Sequence, residues 1–342
     1  MVRAVWTQLL SDTSIKRSSQ TLTILGDNAY IYGGELRPRE PVDSTVYSLP
    51  LNSNSPQPAS LTTATDISQT STSTTAPQPR VGSAATALAN KLHIFSGRGG
   101  TAMAPIEENG SFWVFNSIDR AWTQLTPSDP DAPFPVGRSY HALTTNGTDT
   151  IYLHAGCPAT GRLRDLWAFD VVTRRWRECA PAPGPARGGA SIAFAEGKVY
   201  RMNGFDGTSE QGGAVDVYDP VADAWSTIAY VADGVSGPRA RSVGCLLAVR
   251  LQGRPTLVTM FGEHDPSSLG HQGAGKMLGD VWVLDLEVGR WVLVEVEGVQ
   301  PEPRGWFAAD VLEGSTSSVV VHGGLAESNE RLGDVWRLEL EG

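Results

Sequence analysis

Trp6-Thr7-Gln8-Leu9, near the N-terminus, recurs as Trp122-Thr123-Gln124-Leu125. Trp122 belongs to a unit repeated along the whole chain, whereas Trp6 stands alone before the first unit. The last unit, which ends at Trp336, lacks this strand. A strand missing at one end and present at the other is what a closed ring requires, so the N-terminal strand is expected to complete the final sheet.

Each unit keeps one order of parts. An Arg opens it, an apolar strand follows, and a second strand ends in Gly. A variable loop comes next, then a strand of the form Trp-x-x-Asp, and six residues later a Trp. Arg138, Tyr152, Gly156, Trp167, Asp170 and Trp176 show the full pattern, and Gly262, Trp282, Asp285 and Trp291 repeat its second half. The closing glycine falls at Gly34, Gly97, Gly156, Gly204, Gly262 and Gly324, a period of roughly 50–60 residues that matches propeller blades. Alternating stretches such as Tyr30-Ile31-Tyr32, His93-Ile94-Phe95 and Val281-Trp282-Val283 read as short β strands. The expectation is an all-β, six-bladed β-propeller, closed by the Trp6 strand and covering residues 1–342 as a single domain. The third-strand Trp should pack between blades. Residues 51–79, rich in Ser, Thr, Pro and Gln, read as a partly flexible segment of blade 1, with its fourth strand near Leu61-Thr62-Thr63-Ala64.

The formal charge of −10 argues against general nucleic-acid binding, which calls for a basic face. No apolar run reaches membrane-spanning length. Met1-Val2-Arg3-Ala4-Val5-Trp6 shows no signal-peptide core, and Cys157, Cys179 and Cys245 show no metal or redox spacing, so a reduced, cytoplasmic setting is the simplest reading.

In a four-stranded antiparallel blade whose innermost strand comes first, the loop entering that strand and the loop joining strands two and three share one face. That face therefore gathers Arg17, Arg80, Arg138, Arg187, Arg239 (or Arg241) and Arg304 with the loops 35–45, 98–111, 157–164, 205–214, 263–279 and 325–333. The arginines would either clamp an anionic or polarised ligand at the channel mouth or lock blades together on neighbouring carboxylates and carbonyls. Arg98 and Phe205 open two of the loops, and Tyr140 and Trp306-Phe307 offer apolar walls for a small molecule.

Glu263-His264-Asp265-Pro266-Ser267-Ser268-Leu269-Gly270-His271 places two carboxylates and two imidazoles in one loop. Such groups suit a divalent ion or acid–base work. Together with Pro303-Arg304-Gly305-Trp306, Val321-His322-Gly323-Gly324 and Asn329-Glu330-Arg331-Leu332-Gly333-Asp334, this loop resembles the kelch-type specifier proteins of glucosinolate breakdown, and the resemblance runs over the whole chain. It implies a six-bladed propeller acting on a small reactive molecule at the loop face. It also implies ferrous iron held by a Glu-x-x-x-Asp-x-x-x-His set. Here the Glu is Glu263 and the His is His271, but the middle position is Ser267, with Asp265 two residues out of register. A lost carboxylate weakens an Fe(II) site, so the metal reading rests on Glu263, Asp265 and His271 together. Without metal, Glu263 and His271 either hold the loop shape by hydrogen bonds or, with Arg138, form a metal-free site that binds or polarises a ligand.

The functional expectation is a small-molecule propeller, lyase- or cyclase-like and free of cofactor, that steers a non-redox rearrangement, elimination or cyclisation, such as a cycloaddition. The alternatives are a peptide-binding propeller and an Fe(II)-dependent specifier-like protein. A deep, half-apolar pocket would favour a small molecule, and a broad, flat, basic face a peptide.

Overall fold

The computed structural model describes residues 2–51, 65–66 and 76–342. Among the described residues its strands form six blade sheets, five of four strands and one of five, with four further two-stranded ribbons. Blade 2 pairs Ala84–Leu88, Lys91–Phe95, Phe112–Asn116 and Ala121–Leu125; blade 3 pairs Ala142–Thr145, Thr150–Gly156, Leu163–Asp170 and Arg175–Cys179. Blade 4 runs from Ser191–Ala195 to Ala224–Ala229, and blade 5 from Cys245–Leu251 to Arg290–Leu293. In blade 1, Thr65–Asp66 pairs with Tyr47 and Ser48 as the outer strand. The strand expected at Leu61–Ala64 lies outside the described residues.

Blade 6 closes the circle as the repeat requires. Arg3–Ser11 lies antiparallel to Asp334–Glu341, with Trp6 opposite Leu338 and Gln8 opposite Trp336. Glu295–Glu297 then adds a parallel fifth strand along Arg3–Val5, which the repeat does not announce.

The third-strand tryptophans sit between blades. Trp113 packs with Tyr30, Tyr32 and Val46 of blade 1, and Trp167 with Phe95, Phe112 and Val114 of blade 2. Trp282 packs on Tyr200 and Met202, and Trp336 on Met260 and Phe261. Each such side chain stabilises the ring by roughly 1.5–3 kcal/mol through burial alone. His154 and His322 are fully buried in this core, and burial holds both imidazoles neutral, well below their usual range.

Two backbone hydrogen-bond rings tie the blades at the loop face. In the first, the closing glycine of each blade donates its N–H to the carbonyl of the next blade's opening arginine: Gly34 to Arg80, Gly97 to Arg138, Gly156 to Arg187, Gly204 to Arg241, Gly262 to Arg304 and Gly324 to Arg17, at 2.8–3.0 Å. These glycines have φ between +94° and +110°. A Cβ on Gly262 would lie 2.7 Å from the Ser242 carbonyl oxygen, so the close approach demands glycine.

The second ring lies two residues beyond each arginine. Ser19, Gly82, Tyr140, Gly189, Val243 and Trp306 all have left-handed φ, from +47° to +64°. Each donates its N–H to the carbonyl of its counterpart in the preceding blade, at 2.7–3.0 Å, and Ser19 bonds to Trp306 to close the circuit. Tyr140, Val243 and Trp306 hold a conformation that costs a non-glycine residue about 1–3 kcal/mol, and the closed circuit of bonds is what holds them there.

Candidate functional site

A cavity of about 400 Å³ opens on the loop face. The second ring lies at its floor, with Tyr140, Gly189, Val243 and Trp306 among the lining residues. The Tyr140 ring lies over Gly82, where an added Cβ would meet it at 3.0 Å, and Val243 leans over Gly189. On the other side of this ring the inner strands line a separate space with small residues such as Thr86, Ala87, Thr144 and Ala193.

The wall comes from the residue that follows each closing glycine. Glu35, Arg98, Cys157, Phe205, Glu263 and Leu325 occupy six equivalent positions, each bridged by backbone to the residue after a blade's arginine. All but Leu325 line the cavity. Arg98 is fixed by donating to Ser139 Oγ at 2.8 Å, Pro158 O at 2.9 Å and Met103 O at 3.1 Å, and it forms no ion pair among the described residues. Arg162 stacks its guanidinium over Phe205 at 5.1 Å, and its Nε has no hydrogen-bond partner. Glu35 is buried, accepts from the Arg39 N–H at 2.7 Å and faces Arg331 at 3.4 Å; burial nevertheless raises its carboxyl above the usual range.

Two further carboxyls meet across Ser242. Glu263 accepts from the Gly275 N–H at 2.9 Å, and burial pushes its pKa up to about 7. Glu210, held by a backbone bridge to Phe205, accepts from Ser242 Oγ at 3.1 Å; its other oxygen has no partner. Burial, with Glu263 nearby, raises Glu210 to about 8. The Tyr140 phenol is likewise pushed up by burial, with the Glu35 charge adding to the effect. Burial also raises the Cys157 thiol, against the opposing charges of Arg162 and Arg98.

Of the residues the sequence singles out, Arg98, Tyr140, Phe205, Glu263 and Trp306 meet in this cavity. The arginine clamp does not form. Arg17, Arg80, Arg138, Arg187 and Arg304 turn back beneath their own second strands, each donating Nη1 to the carbonyl just before the closing glycine at 2.9–3.1 Å. Carboxylates complete most of these locks: Glu108 on Arg80 at 2.8 Å, Asp165 on Arg138 at 2.7 Å, Asp334 on Arg304 at 2.6 Å and Asp43 on Arg17 at 3.5 Å. Arg138, 1% exposed, is thus held as a blade lock, and it is not among the residues lining the cavity. In blade 5 the lock is Arg241, paired with Asp280 at 2.6 Å; Arg239 is exposed outside it.

The metal set does not assemble from the described residues. Asp265 is mostly exposed and lies 3.5 Å from His264 Nε2, while Glu263 is buried against Gly275. His271 lies on a 3-10 turn, Gly270–Gln272, and its side chain is outside the described residues. Among the described residues no three His, Cys, Asp or Glu cluster as metal ligands.

Glu35, Cys157, Arg162, Glu210 and Val243 were not singled out from the sequence. For Glu35, Cys157 and Val243 the signal was positional: first after the closing glycine, or second after the arginine. Arg162 and Glu210 come from loops of unequal length and carry no such signal.

Residues 19–253, more than half of the chain, match the family model for the KLHDC2/KLHL20/DRC7 kelch-repeats domain. The chain is 26% identical over 94% of its length, and 91% of the relative's, to N-(sulfonatooxy)prop-2-enimidothioate sulfolyase of Thlaspi arvense. It is 28% identical to kelch-like protein terF of Aspergillus terreus over 28% of this chain and 23% of that one. The solved structure of YjhT superposes with a TM-score of 0.71 at 16% identity over 96% of both chains, a likeness of fold. Among the described residues no helix is long and apolar enough to cross a membrane.

Proposed function

The chain belongs to the KLHDC2/KLHL20/DRC7 kelch-repeats domain family, and from that premise we propose that its loop-face cavity binds a small anion-bearing molecule and steers a non-redox elimination or rearrangement of it. The observation that supports this most is the cavity's form. It encloses about 400 Å³, within the range of small-molecule sites, and aromatic side chains line it beside fixed charges. A peptide face would be broad and open.

The chemistry divides across the mouth. Arg98 and Arg162 line it toward blades 2 to 4 and Glu263 toward blade 5, while Glu210 reaches the lining through Ser242 Oγ. A departing oxyanion is stabilised by the two guanidiniums, which are fixed in the cavity wall before the charge develops. Tyr140, Phe205 and Trp306 hold the apolar part of the substrate in one conformation, which lowers the barrier by orientation. Glu263, titrating near neutrality, takes up or returns the proton that an elimination moves. The Thlaspi arvense relative bears the name of a sulfolyase for a sulfonatooxy compound, which agrees with an anionic leaving group.

The test is a ligand-observed NMR screen of small aromatic and aliphatic oxyanions. Binding is expected with wild type, weakened at least about tenfold by Arg98→Gln or Phe205→Ala, the loss of one charge-assisted contact or stack. Ligands that bind both variants as tightly as wild type would remove this reading.

A further inference from the structure

Blade 4 departs from the rule that locks the other blades. In blades 3, 5 and 6 an acid two residues before the third-strand Trp receives the opening arginine: Asp165, Asp280 and Asp334. In blades 5 and 6 it takes both guanidinium arms, with Arg241 Nη2 to Asp280 at 2.8 Å and Arg304 Nη2 to Asp334 at 2.9 Å. Strand pairing puts Arg201 opposite Asp216 where blade 3 has Leu153 opposite Trp167. The acid position of blade 4 is therefore Ala214, and the Trp position is Asp216.

Asp216 does not take over the missing role. Its Oδ2 accepts from Arg201 Nη1 at 2.8 Å and its Oδ1 from Thr227 Oγ1 at 2.8 Å. Arg187, 7% exposed, donates Nε to Pro185 O and Nη1 to Asn203 O, and its Nη2 has no hydrogen-bond partner among the described residues. The nearby Asp206 is held by the N–H groups of Thr208 and Ser209 and by the Gln211 amide. Arg201, fully buried, leaves its Nε unpartnered. Asp216 thus pairs with only one of the two neighbouring guanidiniums, Arg201. Arg187 Nη2 is not among the side-chain atoms sealed from solvent, so it is open to an anion from outside, and a largely desolvated cation beside a second one favours such an anion. Gly184, whose added Cβ would sit 3.2 Å from Arg187 Nη2, also lines a rim groove with Arg162 and Arg164.

We propose that blade 4 is a carboxylate-binding site, in which an external carboxylate takes the place of the acid that Ala214 lacks and is held by Arg187 Nη2. This site lies within the rim of blade 4 and does not depend on the chemistry of the central cavity. The ligand class is a single carboxylate, borne either by a small acid or by an acidic peptide side chain.

The experiment measures thermal unfolding of the full chain at fixed ionic strength and pH while acetate replaces chloride, with a capped Gly-Glu-Gly peptide as a second arm. Wild type is expected to gain stability with acetate in a saturable way, because a ligand that binds the native state alone raises the melting temperature. Ala214→Asp is expected to melt higher than wild type without acetate and to lose the acetate response by about tenfold or more in apparent affinity. The same saturable rise with the peptide but not with acetate would assign the carboxylate to a protein partner. A wild type indifferent to both probes, or an Ala214→Asp variant that melts lower and keeps the response, would overturn the proposal. Arg187→Lys keeps the charge but loses the fork; retention of full acetate affinity in it would also contradict the site.

Discussion

Glu210 carries much of the local electrostatics although its loop gave no periodic signal. Burial raises its carboxyl from 4.5 to about 8. A raised acid keeps its proton in the folded state while the unfolded chain has already lost it, so its stabilising contribution is complete below about 4.5 and is lost as pH climbs toward 8. Glu210→Gln should therefore flatten the fall in melting temperature between pH 5 and pH 8 and leave the protein more stable than wild type at pH 8. An unchanged pH profile would mean the carboxyl is not held neutral. At this scale the sequence was half legible. Glu263 could be picked out by the acid- and imidazole-rich loop it opens, and Tyr140 and Trp306 as aromatics close to an arginine. The direction in which Arg138 folds could not, because an arginine side chain spans enough distance to reach either the cavity or the strand beneath it, and only the partners Ala155 O and Asp165 decide.

Within one blade the unit of stability is the lock of arginine, carbonyl, acid and tryptophan. In blade 5 Asp280 accepts from Arg241 and, at 2.7 Å, from Trp282 Nε1. Asp280→Ala strands a fully buried guanidinium and an indole N–H together, and should cost about 3–5 kcal/mol in urea unfolding. A loss below about 1 kcal/mol would show that the lock is not structural. The strand order and the third-strand Trp contacts were legible because both follow from a period of two within strands and one fixed unit along the chain. The choice between Arg239 and Arg241 was not: both precede the inner strand at similar distances, and only the bond from Gly204 N–H to the Arg241 carbonyl sets the register. Blade 4's missing acid was equally hidden, since Asp216 and Asp219 keep the acidic character of the segment while shifting its place.

Across the whole molecule, closure was the most legible feature. A lone Trp6 strand at one end and an unfinished unit at the other predict the pairing of Arg3–Ser11 with Asp334–Glu341. The second hydrogen-bond ring was not legible, because it is made by backbone groups at left-handed angles that Tyr140, Val243 and Trp306 do not advertise. It matters most to function, since it turns the central channel into a cavity with a floor. The measurement that tests this account most directly is a crystal structure of the protein with the tightest small oxyanion from the binding screen. The ligand should rest on Tyr140, Val243 and Trp306, with its anionic group toward Arg98 and Arg162 and its remainder against Phe205 and Glu263. A ligand bound outside this cavity, or a channel running open between Gly82 and Val243, would contradict it.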